Sequence, residues 1–157
     1  HTGPRRGDVF HESSFAKQVA LIENGLIPSN TIYVGNLKSL RTYADVRDAV
    51  NAYYLLMDSS KTGFGEAYNI GGDYTCNVEE TLDFLIKSSI KSDLINIKVD
   101  PNRLRPIDAD LQIPDISKFK KVINWKRKYS YQDTMIDLLD YWRGKIKNDT
   151  SKYRLVR

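Results

Sequence analysis

The sequence predicts an α/β fold. Apolar residues recur at helical spacing in several stretches, short β-rich runs lie between them, and the runs stop at glycine or proline. With 157 residues, 41% hydrophobic and 28% charged, the chain can bury a sizeable core and lacks the composition of a disordered segment.

The elements follow in order. Phe15, Val19 and Ile22 share one helical stripe with Ala16 and Ala20 beside it, and Asn24-Gly25 supplies the stop, since glycine enters the left-handed region at little cost. Thr31 to Val34 reads as a strand ending at Gly35. Val46, Ala49, Val50, Tyr53 and Met57 form a second helical stripe, and Glu66 to Ile70 reads as a strand closed by Gly71-Gly72. A third helix starts at Asn77, which can cap it while Glu80 reaches back, and carries Val78, Leu82, Leu85 and Ile86 inward. Ile95 to Val99 alternates and stops at Asp100-Pro101, and Leu111 to Ile113 makes a short strand before Pro114. The last helix, capped by Ser130, runs through Met135, Leu138, Leu139, Trp142 and Ile146. Phe15 and Trp142 sit on apolar stripes and belong to the core. The organised part is expected over 1–147, with a polar, fraying tail over 148–157.

Composition narrows the function classes. Cys76 is the only cysteine, which excludes a disulfide framework and a thiolate zinc site within the chain and makes a reducing cytoplasm the simplest location. Its expected place is a small buried position or a loop, not a nucleophile's. No apolar run is long enough to span a bilayer, so no membrane role is expected. The chain starts at His1-Thr2-Gly3-Pro4, which reads as the middle of a loop in a fragment, with catalytic residues expected upstream. The net charge of +4 suits an anionic partner, most commonly a phosphate group. The basic residues are interleaved with acids. Only Lys118 to Lys128 is dense, and it reads as a solvated face, so no nucleic-acid partner is expected.

No complete catalytic set is present. Gly63-Phe64-Gly65 lacks the third glycine of a dinucleotide fingerprint and does not follow a strand. The two histidines, His1 and His11, have no neighbours at metal-ligand spacing. Tyr141 and Lys145 match a Tyr-x-x-x-Lys spacing, but on the last helix, where they are expected as surface residues. The informative feature is a scatter of arginines. Arg5-Arg6-Gly7 lies in a Pro/Gly-flanked loop, Arg41 precedes the second helix, and Arg103 and Arg105 bracket Leu104 ahead of Pro106 and Asp108. Guanidinium forks match phosphate oxygens bidentately. A proline-stiffened loop holding Arg105 and Asp108 could offer a cation to phosphate and a carboxylate to hydroxyls or base edges; the alternative is a set of surface ion pairs.

Several segments together resemble the GDP-mannose 4,6-dehydratases. His1-Thr2-Gly3-Pro4-Arg5-Arg6-Gly7 is similar to the family's His-x-Ser/Gly-Pro-Arg-Arg-Gly segment. Gly35-Asn36-Leu37 through Arg41 to Asp48 resembles its GNL…R…D…D stretch, and Tyr68 to Gly72 resembles the strand and turn common to extended short-chain enzymes. Arg105-Pro106-Ile107-Asp108-Ala109-Asp110 matches RPxExD with Asp108 for glutamate, and Asn124-Trp125-Lys126 resembles the GW/NWxP segment with Arg127 in place of proline. A related family, the GDP-4-keto-6-deoxymannose reductases, shares the His-Thr-Gly-Pro start and is similar at Phe15 to Ala20 and at Arg103-Leu104-Arg105-Pro106.

The resemblance implies the C-terminal part of a Rossmann-type extended short-chain dehydrogenase, including its small mixed α/β substrate-binding lobe. It implies an enzyme acting on GDP-mannose or a related nucleotide sugar, with NADP bound mainly by an N-terminal half that precedes this stretch. Arg41 and Arg105 would hold the diphosphate and Asp108 the ribose hydroxyls. Lys17 is a weaker substrate candidate, because the family's helix lysine aligns nearer Ser14. Arg5 and Arg6 would reach the NADP of a neighbouring subunit, which implies a homo-oligomer, dimer or tetramer. The reductase and a non-catalytic nucleotide-sugar-binding module remain as alternatives. Alone, the second helix and the Glu66 to Ile70 strand would expose apolar positions such as Val46, Val50 and Ile70.

Overall fold

The structure, a computed structural model, describes residues 1–60, 62, 65–104 and 111–153. Helix α1 (His11–Glu23) ends where expected: the Asn24 side chain donates to the Ala20 carbonyl and Gly25 takes a φ of +69°. Helices α3 (Val78–Lys87) and α5 (Tyr131–Asn148) both open with capping boxes, Asn77 with Glu80 and Ser130 with Asp133. Their apolar stripes meet those of α1. Phe15, Val19, Ile22, Leu82, Leu85, Leu138, Leu139 and Trp142 form one buried cluster, closed on the other side by Ile32 and Val34.

Ile32 and Val34 belong to strand β1 (Thr31–Val34), which pairs in parallel with β4 (Asn96–Val99). The backbone of Tyr33 would otherwise face α1 unpaired. Gln18 satisfies it: its Oε1 accepts from Tyr33 N–H at 2.9 Å and its Nε2 donates to Tyr33 C=O at 3.2 Å. A second sheet has the order β3-β2-β5. Strand β2 (Leu40–Tyr43) pairs antiparallel with β3 (Tyr74–Asn77) and parallel with the short β5 (Leu111–Gln112). This sheet places Arg41 opposite Cys76 on one side and Gln112 on the other.

One expectation is corrected. Residues 66–70 are not a strand. Among the described residues no strand lies beside them; Tyr68 and Ile70 pack on Ala52 and Phe119, and Asn69 donates to the Asp115 carbonyl. Helix α2 (Val46–Asp58) forms, but it turns Asp48, Ala49 and Ala52 inward, while Val50 and Met57 stand 57% and 89% exposed. Val46 and Val50 are thus exposed as expected, whereas Ile70 is half-buried. Within the polar tail, α6 (Thr150–Tyr153) follows α5, and Tyr153 packs against the main core. The basic run is exposed as expected, and it contains helix α4 (Ser117–Val122), whose Phe119 is fully buried. No helix among the described residues is long and apolar enough to cross a membrane.

Candidate functional site

Between the start of α1, the β1–β2 connection and the turn after β4 lies a cleft of about 730 Å³. Arg6, Arg41 and Arg103 all line it, from three distant segments. The local folding of each is specific. Arg41 sits mid-strand in β2, half-buried, with Nη1 donating to the Leu40 carbonyl at 2.8 Å. Arg103 ends a short 3-10 turn (Pro101–Arg103) that Asp100 caps through Asn102 N–H. The turn packs so closely on Gly35 that a Cβ there would lie 2.5 Å from the Arg103 carbonyl oxygen. Arg103 Nη1 also reaches Ser14 Oγ at 3.4 Å.

Arg6 is held by the start of α1. Its carbonyl accepts from Ser13 Oγ at 2.7 Å, and Ser13 Oγ in turn accepts from the Trp142 indole N–H. Its guanidinium lies over the Phe10 ring, 3.4 Å from ring centre to Cζ. Its Nε is buried and stands 3.3 Å from Glu12 Oε1, an ion-pair contact outside hydrogen-bonding alignment. Glu12 is 4% exposed, and its other oxygen is 3.4 Å from His11 Nδ1.

From His11 a hydrogen-bond chain leaves the cleft for the core. His11 Nε2 meets Tyr43 Oη at 2.7 Å, Thr81 Oγ1 donates to Tyr43 Oη at 2.9 Å, and Tyr131 Oη donates to Thr81 Oγ1 at 3.0 Å. Burial pushes the Tyr43 and Tyr131 phenols above their ordinary value and so keeps them neutral. Cys76 Sγ lies 3.5 Å from Thr81 Oγ1 at 3% exposure, and burial raises its thiol as well; it is the small buried residue expected, and no activated nucleophile.

Other expected residues fall elsewhere. Lys17 is not on the cleft wall: its Nζ is held by Asp8 at 2.6 Å and lies near the Trp142 and Tyr153 rings, while Ser14, one turn earlier, does line the cleft. Arg5 is exposed, with a left-handed φ of +73°. Arg105 and Asp108 lie outside the described residues. Lys145 Nζ donates to Tyr141 Oη at 3.2 Å on the outer side of α5; Lys145 is exposed and Tyr141 half-buried against the core. Sequence reasoning missed His11 and Glu12. The available signal was their place: a histidine and an acid opening a helix directly after an arginine-rich loop.

The described residues offer cations of the kind that suits an anion, but no dinucleotide cradle. Gly35 follows a strand yet leads into β2, and Gly71-Gly72 leads into β3; neither opens a helix, as a pyrophosphate-binding turn must. This part of the chain therefore does not fit NADP as a ligand it could hold alone.

The geometry agrees with what the chain is similar to. The family profile described as GDP-mannose 4,6 dehydratase matches residues 1–138. GDP-6-deoxy-D-mannose reductase of Pseudomonas aeruginosa is 24% identical over 95% of this chain and 47% of its own length. GDP-mannose 4,6 dehydratase of Dictyostelium discoideum is 26% identical over 94% of this chain and 45% of its own. The chain thus spans about half the length of these curated relatives. Among solved structures, that of RMD from Pseudomonas aeruginosa complexed with NADPH superposes with a TM-score of 0.79 at 23% identity, over 92% of this chain and 46% of that one. A UDP-glucuronic acid 4-epimerase from Bacillus cereus in complex with NAD gives 0.68 at 20% identity, over 92% and 42%. These likenesses fix the fold as the C-terminal part of an extended short-chain dehydrogenase. With most of its length matched by the family profile, the chain belongs to the GDP-mannose 4,6-dehydratase family.

Proposed function

We propose that the whole protein converts GDP-mannose to GDP-4-keto-6-deoxymannose with bound NADP, and that this chain supplies the grip on the nucleotide sugar. The observation that carries the reading is the convergence of Arg6, Arg41 and Arg103 on one cleft in a chain of this family. Arg41, with Arg105, would clamp the diphosphate, and Asp108 would take the ribose hydroxyls. By the resemblance, NADP supplies hydride exchange at C4 and C6 of the sugar, and the residues that bind it lie mainly outside this stretch. What the chain's own residues do is bind, orient and exclude water from the sugar nucleotide. The resemblance also supports a homo-oligomer, with Arg5 and Arg6 near a neighbour's cofactor, although Arg6 lines the cleft of its own chain.

Calorimetric titration of GDP-mannose into the full-length protein tests the grip. Arg41→Ala and Arg105→Ala are each expected to weaken binding at least tenfold, about 1.4 kcal/mol. Affinity unchanged from the wild type would remove that residue from the site. Residues 1–157 alone are expected to show no dehydratase turnover, because by the resemblance the groups for proton and hydride transfer lie outside this stretch.

A second reading is the reductase. It is favoured by the similarity to the Pseudomonas reductase and by the stretches Phe15 to Ala20 and Arg103 to Pro106. Stoichiometry separates the two. A dehydratase forms the 4-keto product from GDP-mannose with no net change in NADPH. A reductase consumes one NADPH per GDP-4-keto-6-deoxymannose and leaves GDP-mannose untouched.

A further inference from the structure

The buried acid at the base of the cleft has no part in the reading above, and its surroundings give it one. Glu12 is 4% exposed yet stands between two cleft residues, with Oε1 at Arg6 Nε and Oε2 at His11 Nδ1. A carboxylate in so dry a place is costly unless its charge is opposed. Arg6 is the cation beside it, and Arg6 is held at several points. Its backbone is pinned by Ser13, its guanidinium carbon lies over the Phe10 ring, and its Nε is buried beside Glu12. A guanidinium fixed at Nε keeps its terminal nitrogens for a second anion in a set direction, which is the use to which its planar fork is suited. His11 fixes the other side of Glu12, and Tyr43 fixes His11.

We propose that Glu12 is a positioning residue that sets Arg6 across the cleft as a ligand-binding arginine, working alongside Arg41 on the anionic part of the nucleotide sugar. The proposal rests on the cleft being that ligand's site. It also gives Arg6 a role within its own chain, where the family resemblance sends it to a neighbouring subunit.

Double-mutant calorimetry on the full-length protein with GDP-mannose tests this. Arg6→Gln is expected to weaken binding at least tenfold. Glu12→Gln, which keeps the shape but removes the charge and one acceptor, is expected to weaken it about threefold to tenfold, the usual effect of freeing one rotamer-rich side chain. The double variant should bind no more weakly than Arg6→Gln alone, a coupling that general loosening of the fold would not produce. Arg6→Lys keeps the charge but lacks Nε, so it should bind as weakly as Arg6→Gln, and it carries the test should Glu12→Gln not fold. Glu12→Gln binding like the wild type, a Glu12→Gln loss of equal size in the Arg6→Gln background, or Arg6→Lys binding like the wild type would each overturn the proposal while leaving the nucleotide-sugar reading standing. A wild type that does not bind GDP-mannose would overturn both.

Discussion

Gly72→Ala is expected to destabilise the protein by roughly 3 kcal/mol or more, beyond the ordinary cost of overpacking. A Cβ at Gly72 would overlap the Tyr43 carbonyl oxygen and stand 2.5 Å from its carbon and 3.1 Å from Ala44 N. All three neighbours are backbone, so no side-chain rotation relieves the clash. The strand end itself must move, and with it the pairing of Tyr43 with Tyr74 and the Tyr43 hydroxyl. Urea denaturation followed by circular dichroism measures the cost. Gly144→Ala is the control: a Cβ there meets nothing within 4 Å, and alanine at that helical position is expected to be neutral or stabilising by up to about 1 kcal/mol. Equal midpoints for Gly72→Ala and wild type would mean that the close approach to β2 does not persist in solution.

Asp45→Ala carries the second large effect, about 2 kcal/mol. Asp45 is 4% exposed and caps α2 by accepting from Arg47 N–H at 2.8 Å. It also accepts from the Arg47 guanidinium at 2.8 and 2.7 Å and from Thr134 Oγ1 at 2.8 Å, tying α2 to α5. The cap accounts for about half of the loss. Arg47 is a third exposed, retains Asp137 and stacks on Tyr129, so the broken ion pair is discounted for solvent screening. Burial alone would push the Asp45 carboxyl up, but the Arg47 guanidinium, the Arg47 N–H and Thr134 together hold it below the usual carboxylate range. A depressed folded pKa means that its stabilisation is complete above the unfolded value of about 3.9 and drains away as pH falls through the lower folded one. The gap between wild type and Asp45→Ala should therefore close in acid. A gap that is constant from neutral pH down to acid would show that Asp45 contributes only packing.

The helices were legible because local chemistry decides them. Asn77 with Glu80, Ser130 and the Asn24-Gly25 stop mark ends that the structure keeps. Strand β1 was legible because Ile32 and Val34 cover the core, and β4 because apolar and polar residues alternate along it up to Asp100-Pro101, although its own side chains stand exposed. Strands β2 and β3 were not, since Leu-Arg-Thr-Tyr and Tyr-Thr-Cys-Asn carry no apolar run and exist through pairing with each other. For α2 the stripe was read correctly as a pattern, and Ala49 is the one member of it that is buried. Asp48, a polar residue by sequence, is drawn inward because it accepts from Lys128 and Tyr129 N–H. Of the residues that line the cleft, Arg41 was singled out by its setting. His11 and Glu12 were missed because their partners, Tyr43 and Arg6, lie in other elements or across a loop. Lys17, the weaker candidate, stands off the cleft wall with its Nζ on Asp8, about one helical turn beyond Ser14, which does line the cleft.

The chain of hydroxyls behind the cleft has a polarity. Each phenol and hydroxyl owns a single proton. With Tyr131 donating to Thr81 and Thr81 donating to Tyr43, the Tyr43 proton is left for His11 Nε2. His11 must then carry its own proton on Nδ1, the nitrogen facing Glu12. A buried threonine thus selects the tautomer of a histidine at the cleft wall. A second proton on His11 would enter at Nε2 and point at Tyr43 Oη, so the Tyr43 hydroxyl would have to turn its own proton away and accept from His11 as well as from Thr81.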